Sequence, residues 1–263
     1  HEIKKADNTP YKVFTPFWRT AEKYYLEKRF RKNHKIKIQD KKTNFLSQTV
    51  NLDSLLTKKK WHLNFEKLWI PSEEIALKNT KYFIKNCLSN YGKNRDIPSI
   101  EGTSKISPYL AFGQIHVETI LEECQKIGIK NNGYRKYINE LGWREFSHSL
   151  INYFPEMLKG NLRKDFDSFP WVENKKHLNA WKKGITGYPI VDAGMRELYA
   201  TGWMHNRVRM VTASFLVKHL RIHWQEGEKY FRDCLLDFNE ANNIAGWQWV
   251  AGCGADAAPY FRI

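Results

Sequence analysis

The chain has 263 residues, enough for one large domain or two modest ones with a sizeable core. Forty-three Lys and Arg against 28 Asp and Glu give a formal charge of +15, which points to a polyanionic partner, nucleic acid first, although a solvated Lys-rich surface is the plainer reading of charge alone. No apolar run approaches a membrane span and no secretory leader is visible; Cys87, Cys124, Cys234 and Cys253 are widely spaced with no CxxC pair, so neither a zinc site nor a disulfide framework is signalled and a reducing compartment fits.

Residues 1–70 are Lys-rich and irregular and read as a connector with few helices, "KNHKIKIQDKKTN" being the least structured stretch. From residue 71 to 263 the pattern is helical. "PSEEIALKNTKYFIKNCLSN" has acidic residues in its first turn and apolar residues at helical spacing. "QIHVETILEECQKIG" is amphipathic and closed by Gly128. "YRKYINELGWREFSHSLINYF" and "MHNRVRMVTASFLVKHLRI" predict longer helices, and "GYPIVDAGMREL" opens on Pro189, suited to a first turn. Alternating β-branched runs are missing, so an all-α domain is expected. A start at His1 and an end at "PYFRI" suggest the central piece of a longer protein.

Several constellations could carry chemistry. Glu140, Trp143 and Arg144 share a helical face, as do Asn206, Arg209 and Met210. Taken singly, Glu140 and Arg144 read as an ordinary i,i+4 salt bridge; two such mixed faces favour a shared pocket. Thr103, Ser104 and Ser107 precede Pro108 at a helix start, where hydroxyls and free N–H groups suit a phosphate, or simple N-capping. "GCGADA" follows no strand and reads as a turn. Asp237, Asn239, Asn242 and Asn243 crowd what reads as a short loop before Trp247 and Trp249, able to address the edge of a flat heterocycle or merely to join two helices. Ten tryptophans among basic residues suit stacked or extruded bases.

"YGKNRDIPSIEGTSKISPYLAFG", "NELGWREF", "TGYPIVDAGMRELYATGWMHNRVRM" and "NNIAGWQWVAGCGADAAPYFRI" together resemble the FAD-binding domain of DNA photolyases and cryptochromes, nearest the class I cyclobutane pyrimidine dimer branch. The resemblance runs from about Tyr11 to Ile263 and is weakest across 30–70. It implies a helical domain without the family's N-terminal α/β antenna domain, which would hold any antenna chromophore, and without its last helices.

The same resemblance implies FAD contacts at Tyr91, at Thr103, Ser104, Lys105, Ile106 and Ser107, and at Tyr137, Arg144, Asn206, Arg209, Asp237, Asn239 and Asn243. Tyr137 stands where some members have a flavin-contacting tryptophan. Arg209 and Asp237 match a charge pair beside the isoalloxazine ring, and Asn243 matches the residue facing flavin N5. Asn239 departs from the family's frequent Asp-x-Asp, losing a charge while keeping an acceptor. Arg95, Glu140, Trp143, Asn206, Arg207, Met210 and Trp249 match DNA contacts, with Glu140 steadying the dimer radical anion. Trp171, Trp224 and Trp247 match an electron relay; without the resemblance all three read as packing residues.

The implied activity is light-driven repair of pyrimidine dimers in DNA by electron transfer from reduced FAD, in a cytoplasmic, bacterial-type monomer with no metal. A (6-4) photolyase is disfavoured because Asn206 and Met210 stand where that branch has histidines. A cryptochrome photoreceptor is the rival from another class, and a flavin-free basic structural protein the remotest reading.

Overall fold

The computed structural model describes residues 3–27, 60–128 and 131–257. In chain order it runs α1 (Phe14–Glu27), a 3-10 turn into α2 (Phe65–Leu68), α3 (Glu73–Asn86), α4 (Tyr91–Asn94), α5 (Ser107–Ala111), α6 (Val117–Ile127) and α7 (Asn132–Tyr153). After two 3-10 turns follow α8 (Lys175–Lys183), α9 (Pro189–Thr201), α10 (Asn206–Ser214), a π-helical turn (Phe215–His219), α11 (Trp224–Cys234) and α12 (Glu240–Ala251). The fold is all-α: no strand occurs among the described residues, and none of their helices is long and apolar enough to cross a membrane.

Local signals set many of the helix ends. Ser72 Oγ accepts from Ile75 N at 3.3 Å to start α3, with Glu73 and Glu74 in its first turn. Gly128, at φ +68°, closes α6, and Pro189 opens α9. The central α7 is not amphipathic: Tyr137, Ile138, Leu141, Phe146 and Leu150 are buried on different sides of it. Buried on several sides, it is enclosed by α1, α4 and α12, which pack against it.

Two expectations about organisation change. Part of the expected connector is packed against the helical domain: Phe14, Phe17, Trp18 and Ala21 are buried, and α1 packs on α7. Their apolar face was hidden in a lysine-rich composition. The stretch "KNHKIKIQDKKTN" lies outside the described residues. The helix expected from Met204 begins only at Asn206, because His205 is its N-cap, and after Ser214 it widens into the π turn.

Gln248, fully buried in α12, ties that helix to the 157–162 segment. Its Nε2 donates to the Met157 and Gly160 carbonyls at 2.9 Å each, and its Oε1 accepts from Leu162 N at 3.0 Å. One amide thus satisfies buried backbone groups that helix geometry leaves open.

Candidate functional site

The supposed Asn-rich loop is mostly helix. Asn239 is the N-cap of α12, its Oδ1 accepting from Asn242 N at 3.1 Å, so Asn242, Asn243, Trp247 and Trp249 are helical. Capping needs an acceptor and no charge, which asparagine supplies as well as aspartate. "GCGADA" is a turn, led by Gly252 at φ +86° as the C-cap of α12.

Arg209 of α10 points inward. Its Nε donates to the Met204 carbonyl at 2.8 Å and its Nη2 to Asp237 Oδ2 at 2.7 Å. The Asp237 side chain is only 3% exposed, and its Oδ1 is buried with no partner. Nearby in sequence, Asn243 Nδ2 donates to Glu228 Oε1 at 2.9 Å and to the Glu228 carbonyl at 3.2 Å. Glu228 is itself buried and bonded to Arg232 at 2.9 Å. The Asn243 amide is therefore turned with its nitrogen toward Glu228.

Thr103, Ser104 and Ser107 do not cap α5. Its N-cap residue is Ile106, with no side-chain hydrogen bond. Lys105 sits at φ +48° and bonds Glu101 at 2.7 Å, while Ser107 Oγ accepts from Trp203 Nε1 at 3.4 Å. Tyr91 and Tyr137 are buried edge to face, centroids 5.3 Å apart, and burial pushes both phenols well above their ordinary value. The Ser104 hydroxyl opposes that shift at Tyr137 without a well-aligned bond, leaving the Tyr137 hydroxyl buried and unpartnered.

The expected Glu140–Arg144 bridge is not made. Glu140 pairs with Arg95, distant in sequence. Arg144 is half-buried with no carboxylate at ion-pair distance among the described residues, and burial lowers its pKa. Arg95 also meets Asp96 at 3.6 Å, and Asp96 meets Arg207 Nε at 2.7 Å, giving a relay of charges Glu140–Arg95–Asp96–Arg207. This relay borders a groove of about 520 Å³ lined by Asp96, Ile190, Arg207, Met210 and Trp249, among others. Asn206 is exposed, its amide 3.9 Å from Met210 Sδ. Asn206, Arg209 and Met210 therefore do not act as one face: Met210 opens to the groove and Arg209 to Asp237. Trp143 is not among the groove's lining residues; it stacks on Phe14 with centroids 3.9 Å apart.

Of the three tryptophans at 171, 224 and 247, the first is half-buried and the other two buried. His223 joins the outer pair, 5.0 Å from Trp171 and 5.7 Å from Trp224 between ring centroids. Trp224 Nε1 donates to Asn161 Oδ1 at 2.8 Å. Trp247 packs so closely on Gly227 of α11 that a Cβ there would lie 2.1 Å from its ring. Glu228, Asp96, His223 and Phe14 were missed from sequence; each acts through a partner distant in the chain, and only Glu228, four before Arg232, carried a local signal.

Residues 137–263 match the family model of the FAD-binding domain of DNA photolyase. A deoxyribodipyrimidine photo-lyase of Agrobacterium fabrum is 43% identical over 99% of this chain and 55% of its own length. The Escherichia coli protein of that name is 42% identical, again over 99% of this chain and 55% of its own length. A class III photolyase crystal structure from Agrobacterium tumefaciens superposes with a TM-score of 0.85 at 39% identity, over 99% of this chain and 54% of that one. A Synechocystis cryptochrome superposes at 0.82 with 27% identity, over 100% and 56%. The chain spans about half the length of these relatives. The chain belongs to the photolyase/cryptochrome family and carries the family's FAD-binding domain.

Proposed function

We propose that this chain is the flavin- and lesion-binding part of a light-driven photolyase that repairs cyclobutane pyrimidine dimers in DNA, working as a monomer. The observation that carries the reading is the pair between partly buried Arg209 and buried Asp237, with Asp237 Oδ1 left unpartnered on the segment leading into α12. A buried acceptor without a donor is costly, and a ring N–H satisfies it. The other groups fit the rest of FAD. Arg144 is a half-buried cation with no carboxylate at ion-pair distance among the described residues, and the Thr103 and Ser104 side chains are not spent on capping α5. Both suit a pyrophosphate and its sugar, with Lys105, Ile106 and Ser107 shaping the turn. Tyr91 and Tyr137 supply a wall and a spare hydroxyl.

FAD held by these residues would supply the light-driven one-electron chemistry that opens the cyclobutane ring, with no net redox change. The protein's own residues position and stabilise. Arg209 holds Asp237 in place. Asn243, its nitrogen engaged by Glu228, keeps its oxygen as the acceptor offered to the cofactor. Glu140, fixed by Arg95, accepts from a base N–H and steadies charge placed on the dimer. Met210 and Trp249 pack on the extruded bases, Trp143 offers its ring opposite Phe14, and Arg207 reaches a phosphate. Photolyases act on bases taken out of the duplex stack. Trp171, Trp224 and Trp247 pass an electron inward to recharge the site.

Asn206 and Met210 offer no imidazole for (6-4) chemistry. Glu140, Asn243 and the +15 charge favour repair over a signalling role. Class I is not singled out, since a class III photolyase fits the whole chain. The test is repair of a dimer-containing oligonucleotide by flavin-loaded protein under blue light against a dark control; no light-dependent repair would sink the reading. Trp247→Phe should abolish photoreduction of oxidised flavin while chemically reduced protein still repairs, and equal photoreduction in both proteins would make this tryptophan merely structural.

A further inference from the structure

His223 stands between two of the tryptophans assigned to electron transfer. Its ring lies edge to face with Trp171, centroids 5.0 Å apart, and stacks on Trp224 at 5.7 Å and 30°. The backbone fixes this arrangement. Val172 N donates to the Arg221 carbonyl at 2.7 Å, tying the Trp171 segment to the turn before α11, and Arg221 takes the left-handed conformation at φ +53°. His223 is also the N-cap of α11: its Nδ1 accepts from Gln225 N at 3.2 Å, so the imidazole is neutral with its proton on Nε2. A proton on Nδ1 would meet the Gln225 N–H and the positive end of the helix. Burial holds the His223 pKa below its usual value; Glu226 works against that and Lys229 with it. Neither indole has a base for its own proton. Trp171 Nε1 is buried with no partner among the described residues, and Trp224 Nε1 donates to the Asn161 amide oxygen at 2.8 Å.

Resting on the photoreduction reading above, we propose that the His223 imidazole is the bridge by which an electron passes from Trp171 to Trp224. The oxidant is light-excited oxidised flavin, acting through Trp247. Trp224, left one electron short, is refilled from Trp171 through the π-system of the ring between them, two ring contacts replacing one longer gap. Trp171 ends as the radical cation and Trp224 is neutral again. His223 is neither oxidised nor protonated, no bond forms or breaks, and both indole protons stay where they are. Neutrality matters, because a cationic imidazole touching both rings would oppose positive charge on either. Capping α11 and bridging the tryptophans thus call for the same uncharged tautomer.

Two variants separate the ring from the cap. His223→Asn keeps a strong N-cap and loses the ring; His223→Phe keeps a ring and loses the cap. Flavin-loaded wild type, both variants and Trp171→Phe are flashed in the oxidised state, and the long-lived tryptophan radical is followed by transient absorption. Melting temperature and flavin content are measured alongside. His223→Asn should lose the radical down to the Trp171→Phe level with melting temperature and flavin content unchanged. His223→Phe should keep the radical in spite of a lower melting temperature. A full radical yield in His223→Asn, a loss in His223→Asn that comes with released flavin, or an equal loss in His223→Phe would overturn the proposal, the last making this histidine a helix cap alone. If Trp171→Phe keeps the wild-type radical, the relay reading beneath the proposal fails instead.

Discussion

Arg207 and Arg209 stand two residues apart on α10 and face opposite worlds. Arg209 runs inward to an Asp237 side chain that is 3% exposed; Arg207 runs outward to an Asp96 side chain that is 50% exposed. Both pairs close at 2.7 Å, so contact distance does not tell them apart. Surroundings do. The inner pair has little water to screen it and strands whichever partner is left alone. The outer pair competes with solvent and salt and is worth little by itself. One helix thus fixes one arginine inside and leaves the other adjustable at the surface, the arrangement that the proposed cofactor and DNA contacts call for.

The contrast breaks most visibly at Asp237. Asp237→Ala leaves a partly buried guanidinium without its carboxylate and should cost about 3–5 kcal/mol, together with loss of bound flavin. Denaturant unfolding and flavin absorbance read both, and an unchanged midpoint would place the pair among the weak ones. Next comes Glu228→Ala, which frees the Asn243 amide and should cost about 1–3 kcal/mol. Glu228→Gln, which still offers an acceptor, should cost less. Equal cost for both variants would show that the amide orientation does not depend on this residue.

Acid sharpens the comparison further. Burial, ahead of any neighbouring charge, holds His148, His205 and His223 below the usual 6.5. The unfolded chain titrates near 6.5 and binds more protons than the folded one below that pH, so stability falls from about pH 6.5 downward. Above it these groups are neutral in both states and contribute no slope. Urea midpoints between pH 7.5 and 5 measure this, and a flat profile would contradict it. The smallest effect is expected outside. Arg207→Ala should change stability by less than about 1 kcal/mol while lowering the salt slope of DNA binding by about one unit. Asp96→Ala, by releasing Arg207, should tighten DNA binding slightly.

The helical class was readable because its punctuation is local: Ser72 before two glutamates, Gly128 after a periodic run, Pro189 at a first turn. The candidate residues could be named from ordered motifs, although the partners they take in the fold could not. Glu140 lies one turn from Arg144, yet Arg95, brought in by the packing of α4 on α7, takes it. Asn242 and Asn243 disfavour a helix by propensity, but Asn239 caps their helix and Glu228 holds Asn243 from α11. Phe14 sits in a segment whose composition speaks for solvent, and only its stacking on Trp143 shows which way it faces.

Gln248 has a consequence for how the domain opens. Its amide bonds Met157, Gly160 and Leu162, and the Asn161 between them accepts from Trp224 Nε1. Neither α12 nor the 157–162 segment can detach without breaking bonds of the other, so the two form one cooperative unit with a common opening free energy. Backbone amides of the 157–162 segment should therefore exchange their hydrogens as slowly as those of α12, and the indole of Trp224 keeps its buried surroundings as long as that helix stays shut.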